Sequence, residues 1–199
     1  MLVENAMLMI SIESAIERLQ RLQPQRKWWR RWARRAAVAI LLRERGDGLE
    51  MLMIERAHRP GDPWSGHMAF PGGMLSALDR HSLAAAARET HEEIGLDIGE
   101  WTPVARLSEI SSPSHRGPRP LIITPYVFIV RDEPVFTFNH EVADALWVPL
   151  HFLNDAANRG VVRWRQLQLP CYDWEGRRIW GLSLQMIEEL LSHLRMAPD

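Results

Sequence analysis

FPGGMLSALDRHSLAAAARETHEEIGL, residues 70–96, sets a proline-glycine-glycine turn ahead of a stretch that carries three glutamates, Glu89, Glu92 and Glu93. The apolar spacing predicts a helix from Ser82 to Ile94, with Gly95 as its C-cap because glycine reaches the left-handed conformation without steric cost. On a 3.6-residue repeat Leu83, Ala87, Thr90 and Ile94 form one stripe, and the three glutamates gather roughly opposite. Like charges three and four residues apart cost about 0.2–0.5 kcal/mol per pair. Glu93, near the helix C-terminus, also opposes the macrodipole. Such a cluster invites a cation. Arg88, four residues before Glu92, neutralises only part of it. The competing reading is a solvent-facing acidic helix laced by one arginine pair.

Carboxylate oxygens without thiolate or paired histidine ligands suit hard cations, magnesium or manganese, which also favour phosphate oxygens. Gly72 and Gly73 allow the backbone to approach such a metal or a phosphate closely. Together these residues describe metal-assisted attack on a diphosphate.

Working outward, AAVAILLRER (36–45) and LEMLMIERA (49–57) are apolar runs of strand length separated by Gly46-Asp47-Gly48, a hairpin pattern. A third short run, residues 67–70, stops at Pro71. Further strand-like stretches fall at 104–110, 121–130, 135–138, 146–148 and 161–169, and an amphipathic helix is expected over 183–194. Hairpins and helices mix without regular strand-helix alternation, which points to a mixed α/β sheet packed between helices. Residues 7–22 read as a first helix that ends before Pro24.

Next comes RKWWRRWARR (26–35), with six basic residues, three tryptophans and no acid. One reading is an anion-binding arm for a membrane surface or nucleic acid; the other is a solvated lead-in whose tryptophans pack on the domain. The first helix could bury its apolar side on its own domain or on a second copy, so a homodimer is one expectation. A net charge of -1 supplies no overall field toward nucleic acid. The single cysteine, Cys171, excludes an internal disulfide framework and fits a reducing compartment, the cytoplasm. It has no visible triad and reads as a buried thiol. The longest apolar run near the N-terminus, 36–42, falls far short of a bilayer span, and Glu4 and Glu13 break a signal-peptide pattern.

GG…D…RETHEEIGL resembles the Nudix box, the signature of hydrolases that cleave nucleoside diphosphates linked to another moiety. The match covers Gly73, Arg88, Glu89, Glu92, Glu93, Gly95 and Leu96. Asp79 stands where the general pattern has glutamate, one extra residue separates it from Arg88, and Thr90 replaces an aliphatic residue. The coenzyme A diphosphatase branch has that same spacing. GHMAFPGG (66–73), NHEVADALWVPL (139–150) and RRIWGLSLQMI (177–187) are also similar to that branch, so the resemblance runs from about Ala36 to Leu194. One position departs. The branch usually has an arginine four residues before Gly66, where this chain has Asp62, an acid that would repel phosphates; Arg59 is the candidate replacement.

The resemblance implies an α/β fold, a Nudix-type mixed β-sheet packed between helices (an α/β/α sandwich), with an N-terminal helical extension. Residues 1–35 would form the helix and arm, and residues 36–199 the hydrolase domain. It implies Glu89, Glu92 and Glu93 as ligands of Mg2+ or Mn2+, with the carbonyl of Gly73, and Arg88 orienting the carboxylates. Catalytic roles fall to Glu93, Glu92, Arg88 and Glu141. For Glu141, a general base competes with a helix-starting carboxylate near an N-terminus. Arg59, Gly72, Arg116 and Arg119 are the candidates for substrate binding, the last two on a loop (111–120) that also holds His115. Trp64 could stack on adenine or pack beside the sheet; His67 and His91 read as bystanders. The implied reaction is hydrolysis of coenzyme A or acyl-CoA to 3′,5′-ADP and phosphopantetheine. Alternatives are a Nudix enzyme for ADP-ribose, a nucleotide sugar or an oxidised nucleotide, and a non-catalytic binding module of the same fold that uses the arm.

Overall fold

The computed structural model describes residues 10–46, 48–62, 64–112 and 118–195. The two leading apolar runs form β1 (Arg34–Arg45) and β2 (Gly48–Arg56), paired antiparallel from Leu42↔Met51 to Arg45↔Gly48. Their near-continuous apolar character follows from burial on both faces. Ile40, Leu42, Met51 and Met53 enter one core, and the alternate residues Ala39, Leu41, Leu52 and Ile54 enter a second.

Beyond this hairpin β1 and β2 part, and the chain that follows fills the fork. β3 (Met68–Ala69) pairs with β2 at Ile54 and Glu55, and β4 (Gly72–Met74) pairs with β1 at Ala36–Val38. The Ala39 N–H donates to the Pro71 carbonyl at 2.8 Å and fixes the bend between them. The glycine pair, expected as a turn, is therefore a short strand. β7 (Leu121–Ile129) runs parallel to β1, while β5 (Ala105–Arg106) and β6 (Ile110–Ser112) share its outer edge. β8 (Val142–Pro149) pairs along the free edge of β2, completing one mixed eight-stranded sheet.

α2 (Ser82–Ile94) lies on one face of this sheet, against β1 and β4. Its alanine run has high helix propensity. His81 caps its start, Nδ1 accepting from the Ala84 N–H at 3.1 Å, and Gly95 ends it at φ 73. α1 (Ile12–Gln20) and α4 (Gly181–Arg195) cover the other face, where Ala15, Leu19, Ile187 and Leu190 join one core. The short helix α3 (Leu150–Asn154) follows β8. β9 (Arg159–Trp164), β10 (Leu167–Trp174) and β11 (Arg177–Trp180) make a separate three-stranded sheet. The architecture is an α/β arrangement of a mixed sheet between helices, with the N-terminal helix present.

Several expectations are corrected. The first helix starts at Ile12, after the Ser11 cap, and ends at Gln20; residues 7–9 of the expected span lie outside the described residues. The stretch 135–138 is not a strand: the Thr137 and Asn139 N–H groups donate to the Ile94 and Glu93 carbonyls, satisfying the C-terminal end of α2 instead of a sheet edge. The run 161–169 breaks into two strands at Arg165, whose φ of 55 belongs to the turn, and 104–110 divides between β5 and β6. Among the described residues no helix is long and apolar enough to cross a membrane.

Candidate active site

The three glutamates of α2 differ in environment. Glu93 is only 4% exposed, because the buried stripe of the helix is Ala85, Ala86, Thr90, Glu93 and Ile94. This corrects the expected grouping of all three on the open side. The fork between β1 and β2 draws the polar end of that stripe inward: Glu93 Oε2 accepts the Gly72 N–H at 2.8 Å. Burial pushes the Glu93 carboxyl up to about 7, against the opposing pull of the Gly72 amide. Glu89 is half-buried and also shifted up, by burial first, while Arg88 opposes the shift. Glu92 is exposed and held by Arg88 at 3.0 Å.

Arg88 is the hub of the cluster. Its guanidinium donates to both oxygens of Asp79 at 3.1 and 3.0 Å and to the Met74 carbonyl at 3.1 Å, and it reaches Glu89 at 2.9 Å. Those bonds hold the Asp79 carboxyl down at about 2, and a further bond from the Ser76 N–H at 2.7 Å fixes the loop before α2. The aspartate that departs from the general box therefore does a defined job: it holds the arginine that holds the glutamates.

Gly72 and Gly73 are required by space. Gly72 has φ 146, and a Cβ there would sit 2.3 Å from the Ala37 carbonyl oxygen. A Cβ on Gly73 would meet the Glu89 carboxylate at 2.5–2.6 Å.

Glu141 lies in the turn before β8, where its N–H donates to Asn139 Oδ1 at 2.8 Å and its carbonyl accepts from Ala57. No helix begins there, so the helix-capping alternative for Glu141 is overturned. Its charge raises the affinity of both Glu89 and Glu93 for protons, so it stands within electrostatic reach of the box carboxylates. Arg59 approaches Glu141 Oε1 at 3.4 Å and so joins the group. Arg119 is exposed, two residues before β7, whereas His115 and Arg116 lie outside the described residues.

Arg56 escaped the sequence reading. It stabilises the charged form of Glu93 and reaches Asp62 Oδ2 at 3.1 Å. Asp62 Oδ1 accepts the Trp64 N–H, the main cause of its lowered pKa, ahead of Arg56 among the favourable contacts. Asp62 therefore faces a cation and its own turn, and Arg56 offsets part of its charge. The signal in the sequence was a basic residue at the end of β2, where the strand leaves its partner.

Trp64 stacks on Trp164 at 5.6 Å and 17°, and Trp180 adjoins both, so it packs beside the sheet instead of offering an open face to adenine. His67 belongs to this aromatic group, 4.9 Å from Trp180, and its pKa is lowered chiefly by burial. His91 is exposed, and Cys171 is a buried free thiol.

Among the described residues no three His, Cys, Asp or Glu side chains converge tightly enough to hold a cation as they stand, since Arg88 occupies Glu89 and Glu92. The donors nevertheless fit magnesium or manganese in kind. They are hard carboxylate oxygens, one of them buried with an elevated pKa, beside a glycine whose missing Cβ leaves Glu89 its place.

A model of the NUDIX domain matches residues 32–165 of the chain. An uncharacterized Nudix hydrolase, NudL, of Enterobacter sp. (strain 638) is 28% identical over 206 residues, spanning 95% of this chain and 97% of that protein. An uncharacterized protein of Schizosaccharomyces pombe is 39% identical over 104 residues, 50% of this chain; the chain spans 32% of that protein's length. Among solved structures, a MutT/nudix family protein from Enterococcus faecalis aligns with TM-score 0.57 at 17% identity, over 93% of this chain and 70% of that one. The NUDIX domain of Shewanella oneidensis NrtR, complexed with ADP ribose, aligns with TM-score 0.56 at 16% identity, over 81% and 88%. At such identities the solved structures speak for the fold alone. The family match over most of the chain, falling on the fork that seats Glu93, shows that the chain belongs to the Nudix family, as a hydrolase of nucleoside diphosphate derivatives.

Proposed function

We propose that the chain is a metal-dependent diphosphatase that cleaves coenzyme A or an acyl-CoA to 3′,5′-ADP and the phosphopantetheine moiety. In this reading the chemistry lies in residues 36–199, and residues 1–35 stand outside it. The observation that carries the hydrolytic reading is the buried Glu93 carboxylate, tied to the Gly72 N–H one turn along α2 from Glu89.

Glu89, Glu92, Glu93 and the Gly73 carbonyl would hold Mg2+ or Mn2+, which when bound neutralises phosphate charge and lowers the pKa of a bound water. Arg88 keeps the like-charged carboxylates together through its bonds to Asp79, Glu89 and Glu92. Glu141, outside α2 but within its electrostatic reach, accepts the proton of the attacking water as general base. Arg59, with Arg116 and Arg119, takes the substrate phosphates, and Gly72 lets the backbone approach them. The coenzyme A assignment is supported by the resemblance of segments 66–73, 139–150 and 177–187 to the coenzyme A diphosphatase branch and by the spacing of Asp79 and Arg88. A lone buried cysteine supports a cytoplasmic setting.

The test is hydrolysis of coenzyme A, ADP-ribose, NADH, a dinucleoside polyphosphate and 8-oxo-dGTP with magnesium or manganese, beside the Glu93→Gln protein. Glutamine keeps an acceptor for the Gly72 N–H, so the fold should persist while turnover falls about a thousandfold. Coenzyme A should be cut fastest. Faster cleavage of ADP-ribose would remove the coenzyme A assignment alone; an active Glu93→Gln protein would remove the hydrolytic site.

A further inference from the structure

The basic tryptophan arm is anchored, and its anchorage holds two tryptophans outward. Glu109, whose side chain is fully buried, accepts the Lys27 N–H at 2.8 Å and pairs with Arg30 at 3.0 Å, while its own N–H donates to the Gln25 carbonyl. Ser108 Oγ accepts the Gln25 N–H, and Arg106 donates to the Pro24 carbonyl. A 3-10 turn, Arg30–Trp32, then follows directly. On this fixed backbone Trp28 is 82% exposed and Trp32 64% exposed, with ring centroids 6.0 Å apart at 81°. The expectation that the tryptophans pack on the domain thus fails for these two. Arg26, Arg31 and Arg35 are exposed around them, and residues 26–35 contain no acid.

The loop before α2 is tied to the end of the arm and carries a further exposed apolar tip. The Leu75 N–H donates to the Arg35 carbonyl at 2.9 Å, and the loop it opens carries Leu78, 91% exposed, and an exposed Arg80. Apolar tips ringed by arginine suit the boundary of an anionic bilayer, where indole rings sit at headgroup level and each cation gains from the surface potential. A nucleic acid would favour parallel ring faces on which successive bases stack, but Trp28 and Trp32 stand nearly perpendicular to each other. A second copy of the chain meeting this face about a two-fold axis would set its arginines against the same arginines.

We propose that Trp28, Trp32 and Leu78, with Arg26, Arg31, Arg35 and Arg80, form a docking surface for anionic lipid membranes. The arm leads directly into β1, whose Ala37 pairs with Gly73, so docking there would hold the carboxylate site near the lipid surface.

The test is flotation of the full chain with phosphatidylcholine vesicles, alone or with about a third of the lipid replaced by phosphatidylserine. The chain should float with the anionic vesicles and not with the neutral ones, and less so in high salt. Trp28→Ser/Trp32→Ser and, separately, Arg26→Glu/Arg31→Glu should each weaken binding about tenfold, with hydrolysis of soluble substrate unchanged. Equal flotation on both vesicles, or undiminished flotation of either variant, would overturn the proposal. So would an arm-dependent dimer in light scattering, or arm-dependent RNA binding, without vesicle binding.

Discussion

The Cα of Gly73 and the carboxylate of Glu89 are so close that a methyl group does not fit between them: an added Cβ would stand 2.5 Å from Glu89 Cδ. The neighbour Gly72 is equally crowded, but by backbone, the Ala37 carbonyl oxygen at 2.3 Å. A flexible side chain can swing away, whereas a paired strand cannot. Gly73→Ala should therefore leave the melting temperature nearly unchanged and cut kcat/KM about a hundredfold, because Glu89 is displaced from its place in the cluster. Gly72→Ala should instead cost about 3 kcal/mol of stability, since it also meets an unfavourable φ. Denaturant unfolding beside steady-state kinetics separates the two outcomes.

Asp79 carries the pH prediction. Its carboxyl is held at about 2 by Arg88, below its ordinary 3.8, so the folded state favours the charged form. The stability this contributes is fully present above about pH 4 and is lost as pH falls through about 2. Asp79→Asn should cost about 1.5–3 kcal/mol at neutral pH, as expected for hydrogen bonds to a charged partner. The gap between wild type and variant should close as urea midpoints are followed down in pH. A gap that stays constant would mean that Asp79 acts through shape and not through charge.

The helix over 82–94, its Gly95 cap and the β1–β2 hairpin were legible because each is set by local pattern: helical spacing, a left-handed glycine, apolar runs of strand length around a glycine turn. The box residues were legible because their chemistry sits within one short segment. Glu93's burial was not. Helical periodicity assigns a glutamate to the polar side, and only the fork between β1 and β2, a tertiary feature, brings the Gly72 N–H to meet it. Arg56 with Asp62, and Trp64 with Trp164, were hidden for the same reason: the tryptophans are 100 residues apart in sequence, and they meet only once a second sheet packs on the loop before the box. The run 135–138 has strand composition but is spent on the end of α2.

Trp164 reports on that second sheet. Its ring stacks on Trp64 and tilts against Trp180 at 4.9 Å, fixing the loop that carries Arg59 and Asp62. Trp164→Ala should destabilise the protein by about 3 kcal/mol. It should also raise KM more than it lowers kcat, because the box carboxylates are held by α2 and β4 and not by this loop. An equal loss in both constants would tie the loop to the chemical step.

Asp62 decides how Arg56 is used. One carboxylate oxygen caps the Trp64 N–H at 3.0 Å, and the other takes the Arg56 guanidinium at 3.1 Å. In Asp62→Asn the amide oxygen can still accept from Trp64, but the ion pair is gone, so Arg56 is released toward an incoming phosphate without loss of the turn. A diphosphate substrate would otherwise compete with Asp62 for that guanidinium. The variant should therefore lower KM about three- to tenfold with kcat little changed, and the gain should shrink as salt rises. A KM that rises instead would show that the Arg56–Asp62 pair orients the loop for binding, so that the acid at this position aids recognition.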